Sequence, residues 1–218
     1  MTRKKRLEKI IEIFRAETPS PETELNYGSP YQLAVAVILS AQCTDVRVNK
    51  ITPDLFKAFP EAKDLAAAEE VEIFEYIKSC SYPNSKTKNL RNMAIKLMKD
   101  FKGEFPEDPD DMQKLPGVGR KTAHVLASVL YGQNVLAVDT HVHRVSVRIG
   151  LTPRAKNPVQ VERGLVEIAP NDILHHLHHW LILHGRYTCK ARKPQCKLCS
   201  ITEYCSYFAK EQKKAAKK

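Results

Sequence analysis

The nine residues from Leu115 to Ala123, Leu-Pro-Gly-Val-Gly-Arg-Lys-Thr-Ala, restrict the possible folds more than any other stretch of the chain. Asp108 and Pro109 read as the N-cap and first residue of a short helix ending near Leu115. Lys121 to Tyr131 reads as a second helix with one apolar face, stopped by Gly132. Between them Pro116 ends the first helix, while Gly117 and Gly119 allow positive φ and bring bare backbone N–H groups to the surface beside a helix N-terminus. Such a turn suits a phosphate. Pro-Gly alone would be an ordinary connection. Two glycines flanking one apolar residue, with Arg120 and Lys121 behind them, predict a helix-hairpin-helix over about 108–131. Gly117, Val118, Gly119 and Arg120 would grip a nucleic-acid backbone without reading its sequence.

Helical spacing continues on both sides of the hairpin. Leu7, Ile10, Ile11 and Phe14 share one face of a helix that Pro19 and Pro21 end. Ser29-Pro30-Tyr31-Gln32 has the capping-box pattern, and Leu33 to Leu39 is apolar on nearly every side, so this helix is predicted to be the most buried element. Ser40 to Asp45 breaks it. Ile51, Leu55, Phe56 and Phe59 mark the next helix, and Val71, Phe74 and Ile77 another. Cys80 to Asn84 reads as a loop, and Leu90, Met93, Ala94, Leu97 and Phe101 as a further stripe closed by Gly103. Val135 to Val138 is the only run that suits a strand, but Val138, Val142, Val145 and Ile149 keep a helical register. Asn157-Pro158 caps the next helix, with Leu165 and Ile168 inward, and Asp172 the one after it. There Ile173, Leu174, Leu177, Trp180 and Leu181 form the core face, which leaves His175, His176, His178 and His179 on a solvated or DNA-facing side. The chain is therefore expected to be all-α, and parallel-sheet folds are excluded.

Thirty-five Lys and Arg against 25 Asp and Glu give a net charge of +10, which favours a polyanionic partner, nucleic acid first. The basic clusters Arg3 to Arg6 and Lys210, Lys213, Lys214, Lys217 and Lys218 read as solvated tails. No apolar run approaches the ~20 residues of a membrane span, and Met1 to Ile10 lacks a signal-peptide pattern. The expected location is intracellular and cytoplasmic, with the nucleoid if the source is bacterial.

Four of the six cysteines, Cys189, Cys196, Cys199 and Cys205, lie close together with six, two and five residues between them. In a reducing compartment such a cluster suggests metal rather than disulfides. Only Cys196 and Cys199 form a close pair, and spacing alone leaves a structural zinc ion and a [4Fe-4S] cluster both open. Arg192 and Lys193, inside this loop, would form a phosphate clamp if the loop were held rigid.

Eighteen residues past Lys121, Asp139 stands at the expected N-cap of a helix, in Val-Asp-Thr-His-Val. An amine can attack a sugar C1′ to form a Schiff base, and a carboxylate can stabilise an oxocarbenium ion. A phosphate contact for the lysine and a plain cap for the aspartate are the simpler alternatives.

The hairpin stretch, Ala-Val-Asp-Thr-His, His-Trp-Leu-Ile-Leu-His-Gly-Arg-Tyr-Thr-Cys and the cysteine cluster together resemble the endonuclease III family of DNA glycosylases, from Arg6 to Cys205. The resemblance implies two helical lobes with a DNA-binding cleft between them: a six-helix lobe at 22–132, and a [4Fe-4S] lobe made of 1–21 and 133–218 with its cluster loop at 189–205. It implies that Lys121 and Asp139 are the catalytic pair. Because the adenine-specific branch lacks the lysine, Lys121 favours a glycosylase with lyase activity on oxidised pyrimidines. Cys189, Cys196, Cys199 and Cys205 would hold the cluster, Gln42 would fill the gap left by an everted nucleotide, and Asp45 and His141 would lie near the lesion pocket. Tyr82 occupies the position of a wedge residue that is commonly Leu, and an aromatic ring can stack where Leu wedges. The expected partner is double-stranded DNA with damaged bases or abasic sites, bound by a monomer. A glycosylase of another base or mismatch specificity is the nearest alternative, and a non-catalytic DNA-binding protein with a structural metal site the more distant one.

Overall fold

The computed structural model describes residues 1–216; Lys217 and Lys218, the last cations of the C-terminal cluster, lie outside the described residues. No strand occurs among the described residues. The chain divides into two compact units, Met1–Glu22 with Gln133–Lys218, and Thr23–Gly132.

The Thr23–Gly132 unit contains α1 to α7, if the N-terminal helix of the other unit is set aside: α1 Pro30–Ser40, α2 Asp45–Ala58, α3 Ala62–Ala67, α4 Glu70–Ile77, α5 Pro83–Phe101, α6 Pro109–Met112 and α7 Arg120–Tyr131. Its centre is α1, where Tyr31 and every residue from Leu33 to Leu39 are buried, the burial that an all-apolar run requires. Ser29 Oγ caps α1 by accepting from Gln32 N at 3.2 Å. The capping box is shifted by one residue: Gln32 Oε1 accepts from Gly28 N rather than from Ser29 N. One helix of this unit was not expected from the sequence, and two expectations change. Helix α3 carries no Ser, Thr or Asn cap signal and is short; Asp64 folds back to accept from Glu61 N at 3.0 Å. In α4 the inward pair is Ile73 and Ile77, while Val71 is 68% exposed. Pro83 and Asn84 are not loop but the first turn of α5, with Tyr82 as its N-cap.

In the other unit the elements are α8 Arg3–Glu17, α9 Thr140–Ile149, α10 Pro158–Val166, α11 Leu174–Leu183, continued by a π-helical turn His184–Thr188, and α12 Ser206–Ala215. Leu7, Ile10, Ile11 and Phe14 of α8 pack into one core with Val142, Val145 and Ile149 of α9 and Leu177, Trp180 and Leu181 of α11. Trp180 Nε1 donates to Thr18 O at 2.8 Å, and Arg3 pairs with Glu167 at 3.1 Å. Val135 to Val138 is extended but pairs with no strand, and the helix begins after Asp139. Asp172 caps nothing: it sits within a 3-10 turn, Asn171–Ile173, that leads into α11 without a side-chain cap. The histidine face is also different from the expectation. His178 and His179 are 2% and 4% exposed, with His178 Nδ1 2.8 Å from Ala137 O. Burial and the neighbouring imidazoles push the His179 pKa down to about 3, so it is a neutral core group and not a DNA-facing cation.

Candidate functional site

The hairpin is built on three buried side chains, Met112, Leu115 and Val118. Asp108 Oδ1 accepts from Asp110 N at 2.7 Å, Leu115 N donates to Met112 O, and Val118 N donates to Leu115 O at 3.1 Å. Val118 therefore anchors the turn through its side chain, and its amide is already engaged. Gly117 has φ +82°, and a Cβ there would stand 3.1 Å from Asn89 Cβ and 3.4 Å from Ile38 Cδ1, so no other residue fits without displacement. Gly119 differs from the expectation of positive φ: it is extended, with φ −88°, as the N-cap of α7. A Cβ on Gly119 would meet nothing within 4 Å. Neither strain nor internal packing demands glycine there, and the open space lies in front of a helix turn with no side-chain cap. Arg120 and Lys121 are both exposed on that turn.

Among the described residues four non-glycines have positive φ: Gln42 (54°), Tyr82 (56°), Lys102 (55°) and Lys193 (52°). Three of these are the residues that the sequence reading assigned to DNA. The left-handed region costs a residue with a Cβ roughly 1–2 kcal/mol, and such strain concentrates at functional positions. Gln42 is exposed between α1 and α2, and Tyr82 is 63% exposed at the start of α5. Asp45 is the first residue of α2, where its charge favours the helix N-terminus.

In the other unit Asp139 caps α9, with Oδ1 accepting from Val142 N at 2.7 Å, and it is half-buried. His141 lies two residues on, its Nδ1 3.2 Å from Arg144. Arg144 also donates to Gly185 O at 2.8 Å and to Cys189 O at 3.3 Å. Arg148, one turn further, donates to Lys190 O at 2.6 Å and Ala191 O at 2.8 Å, and lies 3.7 Å from Cys189 Sγ. Sequence reasoning missed both arginines. The signal was their i, i+4 spacing behind Asp139, but nothing in the sequence says that their partners are carbonyls some forty residues away. Gly185 permits this approach, since a Cβ there would stand 2.9 Å from His141 Cβ.

Cys189 is buried, and Cys196, Cys199 and Cys205 are half-buried free thiols. Burial, with the other three thiols adding to it, pushes the Cys199 pKa up to about 11, and burial raises that of Cys205. Burial thus disfavours the thiolate at Cys199 and at Cys205. Polar groups already lie against three of the four sulfurs: Phe208 N donates to Cys205 Sγ at 3.5 Å, Arg148 donates to Cys189 Sγ at 3.7 Å, and His184 Nε2 is 3.9 Å from Cys199 Sγ. Among the described residues no three His, Cys, Asp or Glu side chains are gathered closely enough to hold a single metal ion. Arg192 and Lys193 are exposed in this loop. The other cysteine pair, distant in sequence, is adjacent in space, with Cys43 Sγ 3.7 Å from Cys80 Sγ.

Residues 35–171, more than half of the chain, match the HhH-GPD superfamily base excision DNA repair protein family. Endonuclease III of Rickettsia felis is 48% identical over 200 residues, covering 92% of this chain and 93% of the relative. Endonuclease III of Escherichia coli is 46% identical over 213 residues, covering 96% and 99%. A solved structure of a trapped endonuclease III–DNA covalent intermediate superposes with a TM-score of 0.92 at 38% identity, over 97% of this chain and 100% of that one. A thermostable thymine-DNA glycosylase, 22% identical, shares the fold with a TM-score of 0.84 over 94% and 98% of the two chains.

Proposed function

Because this chain belongs to the endonuclease III family within the HhH-GPD superfamily, we propose that Lys121 is its nucleophile and Asp139 the carboxylate that serves it. The enzyme is a bifunctional DNA glycosylase and abasic-site lyase of base excision repair, acting on double-stranded DNA with damaged bases or abasic sites. The observation that carries the assignment is the placement of Lys121. Its amine stands exposed on the uncapped first turn of α7, just behind Gly119 and the open space in front of it. One helix turn thus offers amides to a phosphate and an amine to the adjoining sugar.

The chemistry follows from these groups. Neutral Lys121 attacks C1′ of an everted oxidised pyrimidine nucleotide as the bond from C1′ to the base breaks, and the departing base takes up a proton. Asp139 opposes the positive charge that develops on the sugar and receives the proton that the amine must shed. Opening of the sugar gives a Schiff base, and loss of a C2′ proton then expels the 3′ phosphate by β-elimination. Water finally releases Lys121. Gln42 and Tyr82 occupy the space that the everted nucleotide leaves, each on a backbone already bent into the left-handed region. Asp45 and His141 would lie nearer the extruded base, and Arg192 and Lys193 would hold phosphates.

Cys189, Cys196, Cys199 and Cys205 suit a [4Fe-4S] cluster. The spacing is the family's, the donor set is all sulfur, and N–H groups point at two of the sulfurs. When bound, the cluster would supply folding energy and rigidity to the 189–205 loop. No helix among the described residues is long and apolar enough to cross a membrane. A DNA substrate supports a cytoplasmic enzyme, working at the nucleoid if the source is bacterial.

Borohydride reduction on a panel of lesion duplexes tests the proposal. Trapping should occur with oxidised pyrimidines and abasic sites and be absent in Lys121→Gln. Trapping of Lys121→Gln at the wild-type level would identify another amine as nucleophile, and trapping confined to mismatches would assign a different base specificity.

A further inference from the structure

Lys86 is 5% exposed, a rare position for an ammonium. It lies in the first turns of α5, where the helix dipole disfavours a cation. Burial accordingly lowers its pKa. Its partners are not carboxylates but two carbonyls, Leu39 O and Ala41 O, each at 2.7 Å. These are orphan acceptors at the C-terminal end of α1, a helix with no basic residue in its own last turn. The cation that this helix end favours is thus supplied from another helix.

The two carbonyls flank the bend that leads into Gln42, the residue with φ 54°. The backbone N–H of the same lysine donates to the carbonyl of Tyr82, itself left-handed with φ 56°, at 3.1 Å, in the first turn of α5. The thiols of Cys43 and Cys80, one from each loop, lie 3.7 Å apart. One residue therefore fastens both strained turns at once, through its ammonium on one side and its amide on the other.

We propose that Lys86 is a positioning residue for base eversion: it holds the Gln42 and Tyr82 turns at a fixed spacing, so that both side chains enter the duplex together. This rests on the reading that Gln42 and Tyr82 enter DNA. Lys86 touches no substrate atom. Its contribution is confined to the step in which the stack is opened and refilled, and it is needed only when there is a paired stack to open.

That confinement gives the test. Single-turnover base excision is measured for the iron-loaded protein on one oxidised pyrimidine, thymine glycol, in two settings: fully paired, and opposite an abasic gap where no partner base needs replacing. Lys86→Met keeps the length and removes the donors; Lys86→Gln keeps one donor on a shorter arm and serves if the Met variant does not fold. Either variant should lose at least about tenfold on the paired duplex, toward the ~100-fold that an ångström of misplacement costs. It should stay near wild type on the gapped one. Equal loss on both substrates, or none on either, would overturn the proposal. Gln42→Ala and Tyr82→Ala, run alongside, separate the two layers. If these variants show no paired-duplex defect, the loop reading itself fails; if they do and Lys86→Met does not, the failure belongs to Lys86 alone.

Discussion

The two compact units hold their exposed loops by different physics. In Thr23–Gly132 each loop is short and ends on a buried helix: Gln42 follows the almost wholly buried α1, Gly117 packs on Ile38 of α1 and Asn89 of α5, and Lys86 bridges two turns. In the other unit the 189–205 loop has two 3-10 turns with no buried residue. Cys189 and Ile201 are its only fully buried members. What fixes it is polar: Arg144 and Arg148 of α9 reach its carbonyls, at Cys189, Lys190 and Ala191. The loops of one unit rest on apolar burial, whereas the cysteine loop of the other is held by polar contacts.

The largest expected effect sharpens this contrast by showing that chemistry can be removed from the unit whose loops rest on apolar burial without loosening it. Lys121→Gln should reduce base removal and borohydride trapping to background while thermal unfolding and DNA affinity stay near wild type, because Lys121 is exposed and the hairpin is held by Met112, Leu115 and Val118. Next, Cys199→Ser or iron chelation should make the 189–205 segment protease-sensitive while the hairpin unit stays resistant. Simultaneous digestion of both would break the comparison. Asp139→Asn keeps a capping oxygen for Val142 N, so folding should hold. Its rate on lesion DNA should fall ~100 to 1,000-fold, with a smaller defect on a pre-formed abasic site.

A pH dependence distinguishes the units further. His179, buried and neutral, has its folded pKa depressed to about 3, against an ordinary value near 6.5. The stability this represents is complete above the unfolded value and is lost as pH falls from there toward 3. Between pH 7 and pH 5 His179 alone should cost the histidine-bearing unit roughly 2 kcal/mol. His179→Leu should flatten that slope in a thermal melt across the same range; an unchanged slope would remove His179 as its source. The smallest effect belongs to the exposed loop cations: Arg192→Ala or Lys193→Ala should each reduce the slope of log affinity against log salt by about 1. Unchanged slopes in both would leave the loop without a phosphate role.

Much of the architecture was readable because helices announce themselves locally. Ser29, Asp108, Asp139 and Asn157 each cap the helix that follows, since capping needs only a side-chain oxygen within three residues of an amide. The misreadings share a cause. Asp172 has the right chemistry for a cap, but the chain enters α11 through a 3-10 turn. His178 and His179 look like a polar face until a second helical register buries them. Gly119 looks like Gly117, yet its backbone is extended and only the space outside it is unusual.

By itself the sequence determined the all-helical class, the hairpin with its lysine, the basic character and the four clustered thiols, because each depends on residue type and short spacing. Only the tertiary structure decided that Gln42, Tyr82 and Lys193 are bent into the left-handed region, that Lys86 fastens two of those turns, that Arg144 and Arg148 carry the cysteine loop, and that Cys43 meets Cys80. These are contacts between residues 37 to 47 positions apart, or bends imposed by them. A side chain's identity limits which bonds it can make, but which carbonyl it finds is settled by how the helices pack.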